Sequence, residues 1–198
     1  MNNAPLRGVP GAASQSSGAV GPLCRHCGRE NETPAHVLGS CPHNMLLVTR
    51  RHHTVKQAIT ELLNGKGFKC LEEVYAVDDE GSTRYADIIA FDDSSQTAFI
   101  LDPTIRFENN DLDQATKVDE EKKRTYEKCS NYFREKFREE FGERVFEVQG
   151  LWFGSRGTIP SRTSNFSKWL GIEENRLLPL VESIIIDSLA ILNYHIYS

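Results

Sequence analysis

Between Met45 and Leu63 the apolar residues Leu47, Val48, Val55, Ile59, Leu62 and Leu63 recur at the spacing of one helical face, and Gly65 and Gly67 supply a stop. The pattern predicts a helix of about five turns at ~3.6 residues per turn. The period then changes. Three apolar runs follow, Lys69 to Val77, Tyr85 to Phe91 and Ala98 to Ile105, separated by the polar turns DDEGS and DDSSQ. Short runs bounded by Asp, Gly and Ser predict strands of an antiparallel meander. A charged stretch from about Asp113 to Phe137 carries Val118, Tyr126, Tyr132, Phe133 and Phe137 on a roughly helical repeat, which predicts one long amphipathic helix. Val145 to Phe153 predicts a fourth strand, and stretches 164–170 and 173–193 predict two closing helices. The order helix, three strands, helix, strand, with further helix behind it, implies an α/β fold around a mixed sheet.

Upstream, residues 1–22 are rich in Gly, Ala, Ser and Pro without apolar periodicity, the composition of a disordered tail or linker. The expected organisation is this tail, a small Cys/His module over 23–43 and one main domain over 44–198. A chain of 198 residues that is 39% hydrophobic suits one such core. Charge sharpens the division. The formal net charge of -5 splits into a basic first sixty residues, which hold five of the six histidines, and an acidic remainder. Nucleic-acid contact is therefore expected in the first third, and the acidic remainder points to a partner or a metal. The stretch from Leu177 to Ile196 is apolar but interrupted by Glu182, Asp187 and His195, so it reads as a buried helix, and no membrane partner is expected.

Five cysteines, three of them clustered with a histidine, fit metal binding in a reducing, intracellular compartment better than a disulfide framework. Cys24-x2-Cys27-x8-His36-x4-Cys41 offers three thiolates and an imidazole, the closed tetrahedral set of a structural zinc. So short a segment has no core of its own, and metal binding would supply most of its folding free energy, on the order of 10 kcal/mol. His26 and His43 are weaker alternatives as the nitrogen ligand. Cys70 and Cys129 read as small core residues.

A second constellation lies in the main domain. Asp87 and Asp102 each interrupt an apolar strand, where an ionised carboxylate is costly unless it is paired or holds a cation. Two on neighbouring strands can share one divalent metal, Mg²⁺ or Mn²⁺. Glu121-Lys122-Lys123-x2-Tyr126 falls on the following helix, within reach of the same point; Lys122 lies on the face of Tyr126, and spacing does not choose between the lysines. Two carboxylates with a lysine suit metal-assisted phosphodiester hydrolysis, the metal polarising the phosphate and the lysine helping its water. The loop Gly154-Ser-Arg-Gly-Thr-Ile-Pro160 reads equally as a phosphate-facing turn or a plain connection, and it lacks the lysine of a P-loop.

Taken together, the CCHC cluster, Arg51-His52, Ala86-Asp87, Asp102, Lys122-x3-Tyr126 and Gly154-Ser-Arg-Gly157-Thr resemble the C-terminal region of non-LTR retrotransposon polyproteins that carry a restriction-like endonuclease. The resemblance spans about residues 24–192. It implies a PD-(D/E)XK nuclease fold, an α-β-β-β-α-β core behind a zinc knuckle. It implies that Asp87 and Asp102 hold Mg²⁺ or Mn²⁺, that Lys122 is the catalytic lysine supported by Tyr126, and that Arg51 and His52 grip DNA. Ala86 departs from the proline of the wider class, and Thr104 stands where many of its members place their lysine. The implied activity is nicking of double-stranded target DNA to prime reverse transcription, in the nucleus, with a reverse transcriptase domain and element RNA as partners. A catalytically inactive nucleic-acid-binding module is the alternative.

Overall fold

The computed structural model describes residues 5–9, 21–109 and 111–198. Its elements in chain order are α1 (Pro34–Gly39), a 3₁₀ turn (Pro42–Asn44), α2 (Met45–Asn64), β1 (Lys69–Val77), β2 (Thr83–Phe91) and β3 (Thr97–Arg106). Then come α3 (Gln114–Tyr126), a 3₁₀ turn (Glu127–Cys129), α4 (Ser130–Phe141), β4 (Val145–Gly154), α5 (Ser161–Trp169) and α6 (Glu174–Tyr197). The sheet runs β1-β2-β3-β4, antiparallel for the first three strands and parallel between β3 and β4. A parallel pair needs a crossover, and α3 with α4 provides it.

Strand alternation sends the two faces into separate cores. Ile88, Ala90, Phe99 and Leu101 pack with Val55, Ile59 and Leu63 of α2 and with Leu177, Leu180 and Ile184 of α6. Ile89, Phe91, Ala98 and Ile100 pack with Tyr126, Phe133 and Phe137 on the other side. Covered on both faces, β3 is buried from Ala98 to Pro103. The fold class is thus the expected mixed α/β one.

Three features differ from the sequence pattern. The single helix expected over Asp113–Phe137 is two, because the 3₁₀ turn at Glu127–Cys129 resets the phase so that Cys129, Phe133 and Phe137 face the sheet along with Tyr126. Within the expected tail, residues 5–9 are packed, while 1–4 and 10–20 lie outside the described residues. Leu6 is fully buried with Val37, Leu38, Ile191 and Leu192, and Gly8 donates its amide to Glu32. The Cys/His module, expected as a separate domain, shares that apolar cluster with the end of α6. By length and composition α6 is apolar enough to cross a membrane, with a mean hydropathy of 1.6. In this fold it buries Leu177, Leu180, Ile184, Ser188, Ile191, Leu192 and His195.

Candidate metal centre and carboxylate cleft

The Cys/His module is built by short-range devices. Leu23 pairs with Asn31 as an isolated bridge, the Cys24 amide bonds to the Glu30 carbonyl, and the Gly28 amide returns to the Cys24 carbonyl. Gly28 has φ 64, the left-handed conformation that closes the turn after Cys27. Thr33 then caps α1 by accepting from the His36 amide, and Pro34 opens the helix. This sets His36 against the cysteines. The four donor atoms of Cys24, Cys27, His36 and Cys41 lie within 4.8 Å of one another. Cys24 Sγ is 3.8 Å from Cys41 Sγ, and Cys27 Sγ is 3.3 Å from His36 Nε2. A tetrahedron with Zn–S near 2.3 Å has S···S edges of about 3.8 Å. The group therefore fits a zinc ion.

Outer partners complete it. The other nitrogen of His36, Nδ1, lies 3.1 Å from Ser40 Oγ and 3.2 Å from Glu30 Oε2, the contact that fixes a ligating imidazole. The backbone amide of Arg29 leads in bringing the Cys27 thiol down to about 7, whereas burial pushes Cys41 up to about 11. His26, the alternative ligand, instead bonds through Nε2 to the His195 carbonyl at 2.7 Å and stacks on His43.

The second constellation converges as well. Asp87 on β2, Asp102 on β3, Lys122 on α3 and His52 on α2 line one cleft of about 400 Å³, together with Thr49, Pro103 and Thr104. Lys122 Nζ lies 3.1 Å from Asp102 Oδ1, and Thr104 donates to the same oxygen at 3.2 Å. Lys123 turns away to Asp119 at 3.0 Å, and Lys122 is the one of the two that lines the cleft. His52 Nε2 meets Asp87 Oδ1 at 3.4 Å. Burial pushes the Asp102 carboxyl above the ordinary range; Lys122 pulls against this and Asp87 adds to it. The Tyr126 hydroxyl donates to the Tyr85 carbonyl at 2.9 Å, fixing the β2 backbone just ahead of Asp87. The strand is irregular there: Ala86 joins one core and Ile88 the other, and Glu73 on neighbouring β1 has φ 51. That irregularity is how Asp87 reaches α2 while Asp102 reaches α3.

Two residues without a sequence pattern of their own hold α3 against this cleft. Gly150 pairs with Asp102 across β3 and β4, and a Cβ there would stand 2.8 Å from Asp119 Cα and 3.1 Å from Lys122 Cγ. Its amide donates to the buried Asp119 carboxylate at 3.0 Å, which Arg162 of α5 also pairs. Close approach at a glycine is the reason Lys122 can lie over β3.

Arg51 serves as an internal tie between helices. It is 1% exposed and donates to the Leu38 carbonyl at 2.6 Å and to Ser188 Oγ at 2.7 Å, tying α2 to α1 and α6. It also lines the cleft beside His52, Asp87 and Asp102. The Gly154–Pro160 loop wraps an internal anion: the Glu108 carboxylate takes the Arg156 amide and side chain and the Thr158 hydroxyl.

No family model and no curated protein sequence matches the chain. The chain is a mixed α/β protein with a Cys₃His group suited to zinc and a cleft lined by two carboxylates, a lysine and a histidine.

Proposed function

We propose that the chain is a divalent-metal-dependent DNA endonuclease that nicks duplex DNA, in the setting of a retrotransposon polymerase that extends the exposed 3′-hydroxyl. The observation that carries this reading is the convergence of Asp87, Asp102 and Lys122, from β2, β3 and α3, on one cleft. The donor set suits Mg²⁺ or Mn²⁺, hard cations that take carboxylate oxygens and keep several waters. Among the described residues these two carboxylates belong to no set of three converging donors, so waters and a phosphate oxygen would fill the remaining positions. When bound, the cation supplies Lewis-acid polarisation of the phosphate and a more acidic water.

The residues themselves have distinct parts. Asp87 and Asp102 hold the cation, Lys122 balances charge beside Asp102 and orients the attacking water, and Tyr126 keeps β2 in place. His52, partly exposed at the mouth, supplies a phosphate contact, with Arg51 lining the same cleft behind it. Zinc, held by Cys24, Cys27, His36 and Cys41, is structural.

The test is nicking of supercoiled plasmid by the full chain with Mg²⁺ or Mn²⁺, with and without a basic polymerase partner, since an acidic chain binds DNA poorly at physiological salt. Asp87→Ala and Asp102→Ala should each abolish nicking and leave DNA binding equal or slightly tighter. Lys122→Ala should lower the rate by 10²-fold or more with cation affinity nearly unchanged. If the wild type never nicks and the Asp variants behave like it, the chain is a nucleic-acid-binding module.

A further inference from the structure

His195 is the one histidine outside the basic first third, and it is fully buried against the Cys₃His group. Its Nε2 lies 3.8 Å from Cys24 Sγ, 171 positions away in the chain, and 3.6 Å from Glu32 Oε2. Its Nδ1 is 2.9 Å from the amide nitrogen of buried Asn44, which also donates to the Val37 carbonyl. An amide nitrogen can only donate, so Nδ1 accepts and the ring proton sits on Nε2, aimed at the sulfur.

Cys24, Glu32 and His195 also approach closely enough to hold an ion of their own. The chemistry of Glu32 argues against that use. Its carboxylate is taken up by Nε and the terminal nitrogen of Arg25, by the Arg25 amide at 2.7 Å and by the Arg7 amide at 3.1 Å. Both residues between the first two cysteines, moreover, bind the end of α6. His26 meets the His195 carbonyl, and Arg25 donates to the Ile196 carbonyl at 3.3 Å. These are carbonyls of the last helical turn, which lack partners within the helix.

We infer that His195 is a positioning residue of the Cys₃His metal site, donating its Nε2 proton to the Cys24 sulfur, and that metal occupancy and docking of the end of α6 are one coupled equilibrium. A metal-bound thiolate is a far better acceptor than a thiol, so the hydrogen bond strengthens on metal binding. By linkage, whatever the docked helix adds to metal affinity the metal returns to docking. The inference concerns zinc alone and stands apart from the nuclease reading.

The experiment uses the full chain with zinc, and with Co²⁺ as a coloured substitute. His195→Leu should weaken zinc binding in a chelator competition by roughly 10–100-fold. It should also shift the thiolate-to-cobalt absorption band. His195→Gln, whose amide nitrogen can take the place of Nε2–H, should restore most of both. In the wild type, chelation should release amide protection in the last turns of α6 while β2 and β3 stay protected, a readout that holds even if His195→Leu misfolds. Unchanged affinity and an unchanged band in a folded His195→Leu would overturn the inference, as would α6 protection that survives metal removal. A wild type that binds no zinc would overturn it together with the zinc assignment, and nicking activity would be unaffected as a question.

Discussion

The Cys₃His corner and the carboxylate cleft are both clusters of side chains of types able to ligate a metal, yet they satisfy their donors in different ways. At the corner the sulfurs face one another at a tetrahedral edge length, and the cations nearby, Arg25 above all, are occupied with Glu32 and the end of α6. In the cleft each carboxylate already has an internal partner, Asp102 the Lys122 ammonium and Asp87 the His52 ring, which is a cation when protonated. The corner fits a zinc ion held by its own four donors. Under the proposed function, a cation in the cleft would have to displace these internal partners, as a site that also admits a phosphate requires.

One residue joins the two regions and offers the largest test of their relation. Arg51 spans from the Leu38 carbonyl, beside the corner, to Ser188 on α6, and its sequence neighbour His52 sits on Asp87. Arg51→Ala would leave two buried polar partners unsatisfied and a cavity in place of a long side chain. The expected cost is roughly 2–5 kcal/mol in urea unfolding. Nicking by the remaining folded protein should fall as His52 loses its support, while the salt dependence of DNA binding stays as in the wild type. A drop in that salt slope by about one unit without loss of stability would mean the guanidinium reaches phosphate after all.

The unequal legibility of the two regions has a physical cause. Strand and helix periods located β1 to β4, α2 and the paired aspartates, because burial on a sheet and on a helix face imposes repeats that survive without tertiary information. The ligand spacing of the corner was readable because its four candidate donors lie within one short segment. Docking of that corner was not readable. It depends on His195 and on Leu6, both remote in sequence and neither carrying a periodic signal. Thr33-Pro34 is a local signal for α1, a capping residue followed by a proline at the first helical position. Gly150 and Asp119 were invisible for another reason, since a glycine in a strand and an aspartate in a charged helix acquire their meaning only from the helix that crosses over them.

Gly150 allows the cleft to be perturbed while the corner is left alone. In Gly150→Ala the new Cβ meets the Asp119 backbone at 2.8 Å, and backbone cannot swing aside as a side-chain tip can. Helix α3 must shift outward, at an expected cost of about 1–3 kcal/mol. Lys122 would retreat from Asp102, so nicking should drop at least tenfold under conditions where the variant remains folded. Zinc affinity should not change. Equal losses of zinc and nicking would show that the two regions unfold as a unit.

The smallest expected effect tests whether the internal pairing of the cleft exists in solution. Contact with Asp87 raises the His52 titration above its ordinary value near ~6.5, against the opposing effect of burial. A histidine whose folded value is raised stabilises the fold fully below the unfolded value, and that contribution is lost as pH rises through the folded value. The His52 ring proton, followed by NMR in magnesium-free protein, should therefore titrate above the unfolded reference and fall in Asp87→Asn. Adding Mg²⁺ should lower it too, because the cation competes for the same carboxylate. A His52 midpoint that ignores both Asp87→Asn and Mg²⁺ would separate the aspartate from the histidine, and with it remove the claim that the cleft holds its carboxylates on internal partners until a metal arrives.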